Sequence, residues 1–408
     1  MKHQYFKIIA LLFAALLLFS ACAVRESTED AQTDELAAAQ ENTDDASETA
    51  SANDTSENGE VEISLEGTTA RAASDSVSIS GSTVTISGEG TYVLSGSLDN
   101  GSVIVDADKE AEVQLILNGV SITSDDFAAV YVAQADKVTV TLAEGTVNTL
   151  LNGGSFIAID ESNVDAVIFS RDDLELEGAG TLIITSPAGH GIVGKDDLTV
   201  SDGNYEISAA DTAIKANDSL EIAGGSFTLT AGADGLHAEN NDDESLGSIY
   251  IGGGSFSINA GDDGVHATTV LQIDGGTFQI TAAEGLEATC ITINGGDISI
   301  AASDDGVNAA RKSSLYSPTV EINGGNVTIV MGAGDTDGVD SNGDIVINGG
   351  TVNVTGNSTF DYDGTGVING GTVIVNGEQV STLPNQMMGG PGMGGMGQGG
   401  MGGPGWRP

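Results

Sequence analysis

Acidic residues recur in this chain ahead of one short phrase, in Asp234-Gly-Leu-His237, Asp263-Gly-Val-His266, Glu284-Gly-Leu-Glu287, Asp305-Gly-Val-Asn308 and Asp337-Gly-Val-Asp340. Asp165 holds the same place before Ala166-Val-Ile, Asp211 is displaced by one, and His190 is the exception. More acids lie alongside at Asp262, Asp304 and Asp335. If these segments stack, neighbouring carboxylates repel by roughly 1 to 3 kcal/mol per pair, depending on the local dielectric. The chain has 12 Lys plus Arg against 60 Asp plus Glu, so its own bases are not expected to neutralise the row. A hard divalent ion would do so, because Ca²⁺ accepts six to eight oxygens in a flexible shell that acidic, glycine-containing turns can supply. The expected calcium ligands are Asp234, Asp263, Glu284, Asp305, Asp335, Asp337 and Asp340, with Asp361-Tyr-Asp363 one unit further on. The competing reading is that Asp-Gly is simply a favoured turn pair.

The third position of the phrase reads Tyr131, Ile168, Val193, Lys215, His237, His266, Glu287, Asn308 and Asp340. The aliphatic residue before it should point inward and this residue outward, as on a ligand-facing or merely solvated strand. Lys215, His237, His266, Glu287 and Asn308 are the candidate ligand-binding residues. His237 and His266 with Asp234 or Asp263 make a weak zinc site, since no third close ligand is evident.

What positions these residues is a repeat. Ile-x-Gly-Gly-x-(Phe/Val/Ile)-x-(Ile/Val/Leu) begins at Ile222, Ile251, Ile273, Ile293, Ile322, Ile347 and Ile368, and its first glycines, at 224, 253, 275, 295, 324, 349 and 370, are 20 to 29 residues apart. Such a period belongs to solenoids. Within each unit the apolar residues alternate between Gly, Asn and Asp punctuation, which indicates short strands and no helix. Each unit therefore reads as one coil of a parallel β-helix, and stacking places like residues about 4.8 Å apart along its axis. The RTX-type calcium nonapeptide is a different motif, because its third Gly and its Asp are missing here.

Composition sets the boundaries. Residues 1–21 read as a signal peptide: Lys2 and Lys7, an apolar run from Ile8 to Leu18, then Leu18-Phe-Ser-Ala-Cys22, a lipobox-like ending that makes Cys22 the expected lipidation site. Residues 22–73 form an acidic tether with too little apolar content to fold. Residues 74–383 form the all-β domain, a single β-helix of about 13 coils at roughly 22 residues each. Residues 384–408 are a Gly/Met/Pro-rich tail. Its methionines would suit a soft metal, although a ligand-free tail is the simpler reading. Cys290 is left without a disulfide partner. The chain is expected to sit on the extracellular face of the membrane, held there only by lipid, and to be a monomer. Its formal net charge of −48 argues against a nucleic-acid partner.

For an enzyme that removes the C5 proton of a uronate, a base is needed beside a metal-bound carboxylate. Lys195 and Lys215 are the candidates, but neighbouring acids raise a lysine's pKa and hold it protonated. Paired carboxylates for glycoside hydrolysis arise many times over in such columns and carry no information. For a glycan binder, aromatic platforms are scarce: aromatics are 4% of residues and the single Trp is Trp406 in the tail. An acidic glycan would meet a like-charged protein unless Ca²⁺ bridged the two. A structural or adhesive rod is the third reading.

The Ile-Asn-Gly-Gly-Thr-Val phrases, Asp-Gly-Val-His-Ala and Asp-Gly-Leu-His-Ala, and the Met-Gly-Gly tail resemble bacterial secreted carbohydrate-binding domain proteins. The resemblance implies a right-handed parallel β-helix with bound calcium, similar in shape to pectate lyases. It also implies binding of plant cell-wall polysaccharides such as cellulose or polygalacturonate without cleavage, a pectate lyase activity being the alternative.

Overall fold

Three strands per repeat turn their apolar residues to a common interior, and each strand pairs in parallel with its counterpart in the next repeat. Ser219–Ile222, Ser226–Ala231 and Leu236–Ala238 are followed by Ser248–Ile251, Ser255–Ala260 and Asp263–Ala267. The register is strict: Leu220 faces Ile249, Phe227 faces Phe256 and Leu236 faces Val265. This computed structural model describes residues 59–159, 163–333 and 336–385. They are all-β with no helix, in one sheet of 25 strands and another of 13. Cys22, the expected signal peptide, Asp335 and the Met-rich tail from 386 onward lie outside the described residues.

The period-two pattern explains the interior. Tyr205, Phe227, Phe256 and Phe278 stack ring on ring with centroids 5.0, 4.7 and 4.5 Å apart, since in-register pairing repeats the same side chain at each level. Burying each such ring is worth roughly 2 to 3 kcal/mol in transfer free energy, before the stacking contribution. The Gly-Gly phrase is the corner between two strands. Its second glycine takes a left-handed backbone, φ 113° at Gly254, which costs a residue with a Cβ roughly 1 kcal/mol or more.

Strands begin at Val61, earlier than the boundary expected at 74. The alternation Val61-x-Ile63-x-Leu65 pairs with Tyr92 to Leu98, and Ala70–Ala72 folds back on it antiparallel. Hairpins at Val77–Ile86 and Val373–Val380 are the other antiparallel pairings. Such turns close the open ends of a stack that would otherwise offer unpaired edges. Acidic composition masked a strand whose buried face is only every second residue.

Repeat length is set by loops. The two 29-residue spacings, 224 to 253 and 295 to 324, contain segments 239–247 and 310–318, which are bound to each other through Ser313 Oγ donating to the Glu244 carbonyl at 2.8 Å.

Candidate functional site

The acidic row and the variable row lie side by side on the 13-stranded sheet. Asp263 is level with Glu284, His237 with His266, His266 with Glu287, Glu287 with Asn308, Asn308 with Asp340, and Asp340 with Asp361. A glycine lets the first row turn toward the second. A Cβ on Gly264 would lie 2.4 Å from Ile280 Cγ2 and 2.5 Å from the Gly285 carbonyl oxygen, so only glycine fits between the core and the next level. That bend brings Asp263 and His266, three residues apart, to 2.6 Å (Oδ2 to Nδ1), and Asp234 and His237 to the same distance.

Two expectations for the rows need correction. Phe169, not Ile168, is level with Tyr131, and Ala166 is level with His190, so Ile168 points into the core and Asp165 stands outside the acidic row. One extra residue in that unit shifts the phrase, and a run of apolar residues cannot reveal the slip. The third-position row is also not a solvated stripe. His237, Glu287 and Asn308 are buried, while Tyr131, Phe169 and Val193 form a second apolar cluster with Phe127 and Val164. Lys195 sits with its amine 5.6 Å from the Phe169 ring centre, in a different column from Lys215, which is level with His237.

Charge compensation divides the row. His266 Nδ1 also lies 2.9 Å from Glu287 Oε2, and Glu287 Oε1 lies 2.8 Å from Lys312 Nζ. Burial opposes the charge on His266, but its hydrogen bonds to Asp263 and Glu287 outweigh that and raise its pKa to about 10. Burial likewise opposes the charge on Lys312, and Glu287 reverses the effect, so its pKa is raised. Here the chain's own cations do meet the carboxylates, against the sequence-based expectation. Lys312 comes from the 310–318 segment, held by the Lys312 and Ser313 backbone N–H groups donating to Thr289 Oγ1 at 3.1 and 2.9 Å. The long repeat was the available signal for it. Glu239 was also missed: its Oε2 lies 3.5 Å from His237 Nε2, too loosely aligned for a sound hydrogen bond.

Further along the row no Lys, Arg or His among the described residues lies at ion-pair distance. Burial, then the Glu287 charge, raises Glu284 to about 8, and its Oε2 accepts a hydrogen bond from Asn308 Nδ2 at 3.0 Å. Burial raises Asp305 to about 6, with Asp304 and Asp337 adding to it. Burial raises Asp340 to about 7, with Asp305, Asp361 and Asp337 contributing. Asn308 Oδ1 is buried without a hydrogen-bond donor. Of the expected calcium ligands, Asp234 and Asp263 are engaged by histidines and Asp337 accepts a hydrogen bond from Ser358 Oγ, whereas Glu284, Asp305 and Asp340 meet no cation of the described residues at ion-pair distance. This second group fits a hard cation in donor type. Asp263, His266 and Glu287 also place three potential ligand atoms within 4.8 Å of one another, but the proton on His266 already satisfies them.

The family model for carbohydrate-binding domain-containing proteins matches residues 80–338, which hold both rows as far as Asp337 and stop short of Asp340 and Asp361. The chain belongs to this family. A carbohydrate-binding domain-containing protein of Acetivibrio thermocellus is 35% identical over 137 residues, covering 33% of this chain and 48% of that relative. This chain thus spans about half the length of the curated relative it matches. Among solved structures, a polysaccharide lyase-like protein from C. thermocellum, in a gadolinium derivative, aligns with TM-score 0.50 at 27% identity, over 74% of this chain and 99% of that one. The family takes its name from carbohydrate binding.

Proposed function

We propose that this chain binds acidic cell-wall polysaccharide at the bacterial surface through calcium held by Glu284, Asp305, Asp337, Asp340 and Asp361, and does not cleave it. The observation that carries this reading is the concentration of buried, uncompensated carboxylates around Asp340, beside the orphaned Asn308 Oδ1. Calcium ions shared between adjacent levels neutralise them and keep coordination sites open to a uronate carboxylate, joining two anions that otherwise repel. Gadolinium is likewise a hard, oxygen-seeking ion, and the solved relative carries it as a derivative. In this reading the domain is a single right-handed parallel β-helix of about 13 coils, supported by one sheet of 13 strands with strictly repeated parallel registers. It is held outside the cell, as a monomer, by a lipid on Cys22.

The runner-up is a calcium-dependent pectate lyase, favoured by the lyase-like relative. Against it, Lys312, the lysine that contacts Glu287, is stabilised in its protonated form and is a poor base. The test is retention of the domain on insoluble pectin with calcium or with chelator, with unsaturated uronate followed by ultraviolet absorbance. Retention that chelator abolishes, with no product, supports the binder. Product that disappears in Lys312→Ala or Lys215→Ala replaces it with the lyase, and absence of both retention and product favours a structural rod.

A further inference from the structure

Over six successive levels that follow Glu206, one face of the stacked strands is almost free of charge in a chain whose formal net charge is −48. The strands Ser226–Ala231, Ser255–Ala260, Thr277–Ala282, Asp297–Ala302, Asn326–Met331 and Thr351–Thr355 each send three side chains outward. Their middle row is Thr228, Ser257, Gln279, Ser299, Thr328 and Asn353, in register from level to level. The rows on either side are again Ser, Thr and Asn, interrupted by Asp297, Ala301 and Val330. All of these side chains are exposed or half-exposed. Strand geometry sets the grid: about 4.8 Å between levels and about 6.7 Å between alternate residues of one strand.

The adjoining corner is ordered in advance. Asn294 donates to Asp274, Asn323 to Asn294, Asn348 to Asn323 and Asn369 to Asn348, each Nδ2 to Oδ1 distance being 2.7 or 2.8 Å. Asn294, Asn323 and Asn369 each keep a second N–H for a ligand, whereas Asn348 spends its second on Glu321 Oε1 at 2.9 Å. Fixing polar groups before binding reduces the entropy lost on contact.

We infer that this face is a second docking surface, independent of calcium, for an ordered, uncharged polysaccharide solid. The inference rests on the carbohydrate-binding reading and adds a separate site to it. A uronate polymer has no reason to choose a face without cations, whereas a neutral one avoids the repulsion of the acidic rows. Each hydroxyl or amide contact replaces a contact with water and nets only about 1 kcal/mol. A single soluble oligosaccharide therefore gains little, while a solid presenting hydroxyls in rows engages many levels at once. The scarcity of aromatic platforms points the same way.

The experiment uses microcrystalline cellulose as the neutral solid and insoluble calcium polygalacturonate as the acidic one, with the full described domain. Wild type is expected to stay on cellulose in the presence of chelator, and soluble cello-oligosaccharides are expected not to displace it. Ser257→Glu with Gln279→Glu should lower cellulose retention at least tenfold and leave polygalacturonate retention unchanged. A milder variant, with Thr228, Ser257, Gln279 and Ser299 all changed to Ala, should fold as wild type by thermal melting and show the same selective loss. Asp305→Asn with Asp340→Asn should show the opposite selectivity. Cellulose retention that survives both face variants overturns the inference, as does retention that needs calcium. Shaping of ice crystals without cellulose retention overturns it too. In each of these cases polygalacturonate retention reports separately on the acidic row.

Discussion

The imidazoles of His237 and His266 stack on adjacent levels, their centroids 4.6 Å apart and their planes 15° from parallel. Two rings that each carry a raised pKa lie against one another only because each has a carboxylate at 2.6 Å, Asp234 for one and Asp263 for the other.

This arrangement gives a pH prediction for His266. A histidine whose folded pKa is raised contributes stability that is complete below its unfolded value near 6.5 and is lost as pH rises through about 10. His266→Ala should therefore destabilise the domain by about 3 kcal/mol near neutral pH, because Asp263 and Glu287 then face each other without the shared proton. The penalty should shrink above pH 10. Denaturant titrations at pH 7 and pH 10.5 compare the two, and NMR of the imidazole C2 proton should place the His266 midpoint well above that of an exposed histidine.

The uncompensated carboxylates predict the reverse trend for the calcium-free protein. Glu284, Asp305 and Asp340 bind protons more tightly in the folded chain, at about 8, 6 and 7, than in the unfolded one. Folded protein then holds more protons between pH 4 and 8, so stability falls as pH rises across that window. Calcium should restore it, by on the order of 5 °C in Tm at a hundredfold excess over Kd at pH 8, and by little at pH 5. Calorimetry at both pH values with and without calcium checks this; an equal shift at both would mean the ion does not sit among these groups.

The glycine at the bend is expected to be intolerant of change. Gly264→Ala places a methyl 2.4 Å from Ile280 Cγ2 and 2.5 Å from a backbone oxygen that cannot move without disturbing the next level. A loss of about 2 kcal/mol or more is expected, against roughly 1 kcal/mol for Gly119→Ser, where no atom lies within 4 Å and only the strain of its φ of 76° remains. Urea midpoints of the two variants make the comparison.

Thr289 holds the segment that delivers Lys312. Thr289→Val leaves the Lys312 and Ser313 backbone N–H groups without their acceptor, at a cost of about 1 to 3 kcal/mol that falls on segment 310–318 rather than on the whole stack. Hydrogen exchange should quicken at 311–315 while the strands keep their protection. Uniform quickening would show instead that the segment is part of the cooperative unit.

Alternation of Ile, Phe and Val with small polar residues, and the Gly-Gly corner every 20 to 29 residues, were enough to read parallel stacking and the neighbourhood of Asp234, Asp263, Glu284 and Asp305. Those features are local and periodic, and a periodic chain repeats its neighbours. The sequence could not tell that the row changes character part-way along. Lys312 reaches Glu287 from 25 residues away in the chain, on a segment anchored to Glu244, almost 70 residues from it. Nor could it tell that Phe169 rather than Ile168 joins Tyr131, because a one-residue slip leaves an apolar run looking the same. Register and loop closure are properties of the assembled stack, and they decide which carboxylates meet a cation of the chain itself and which are left for one from solution.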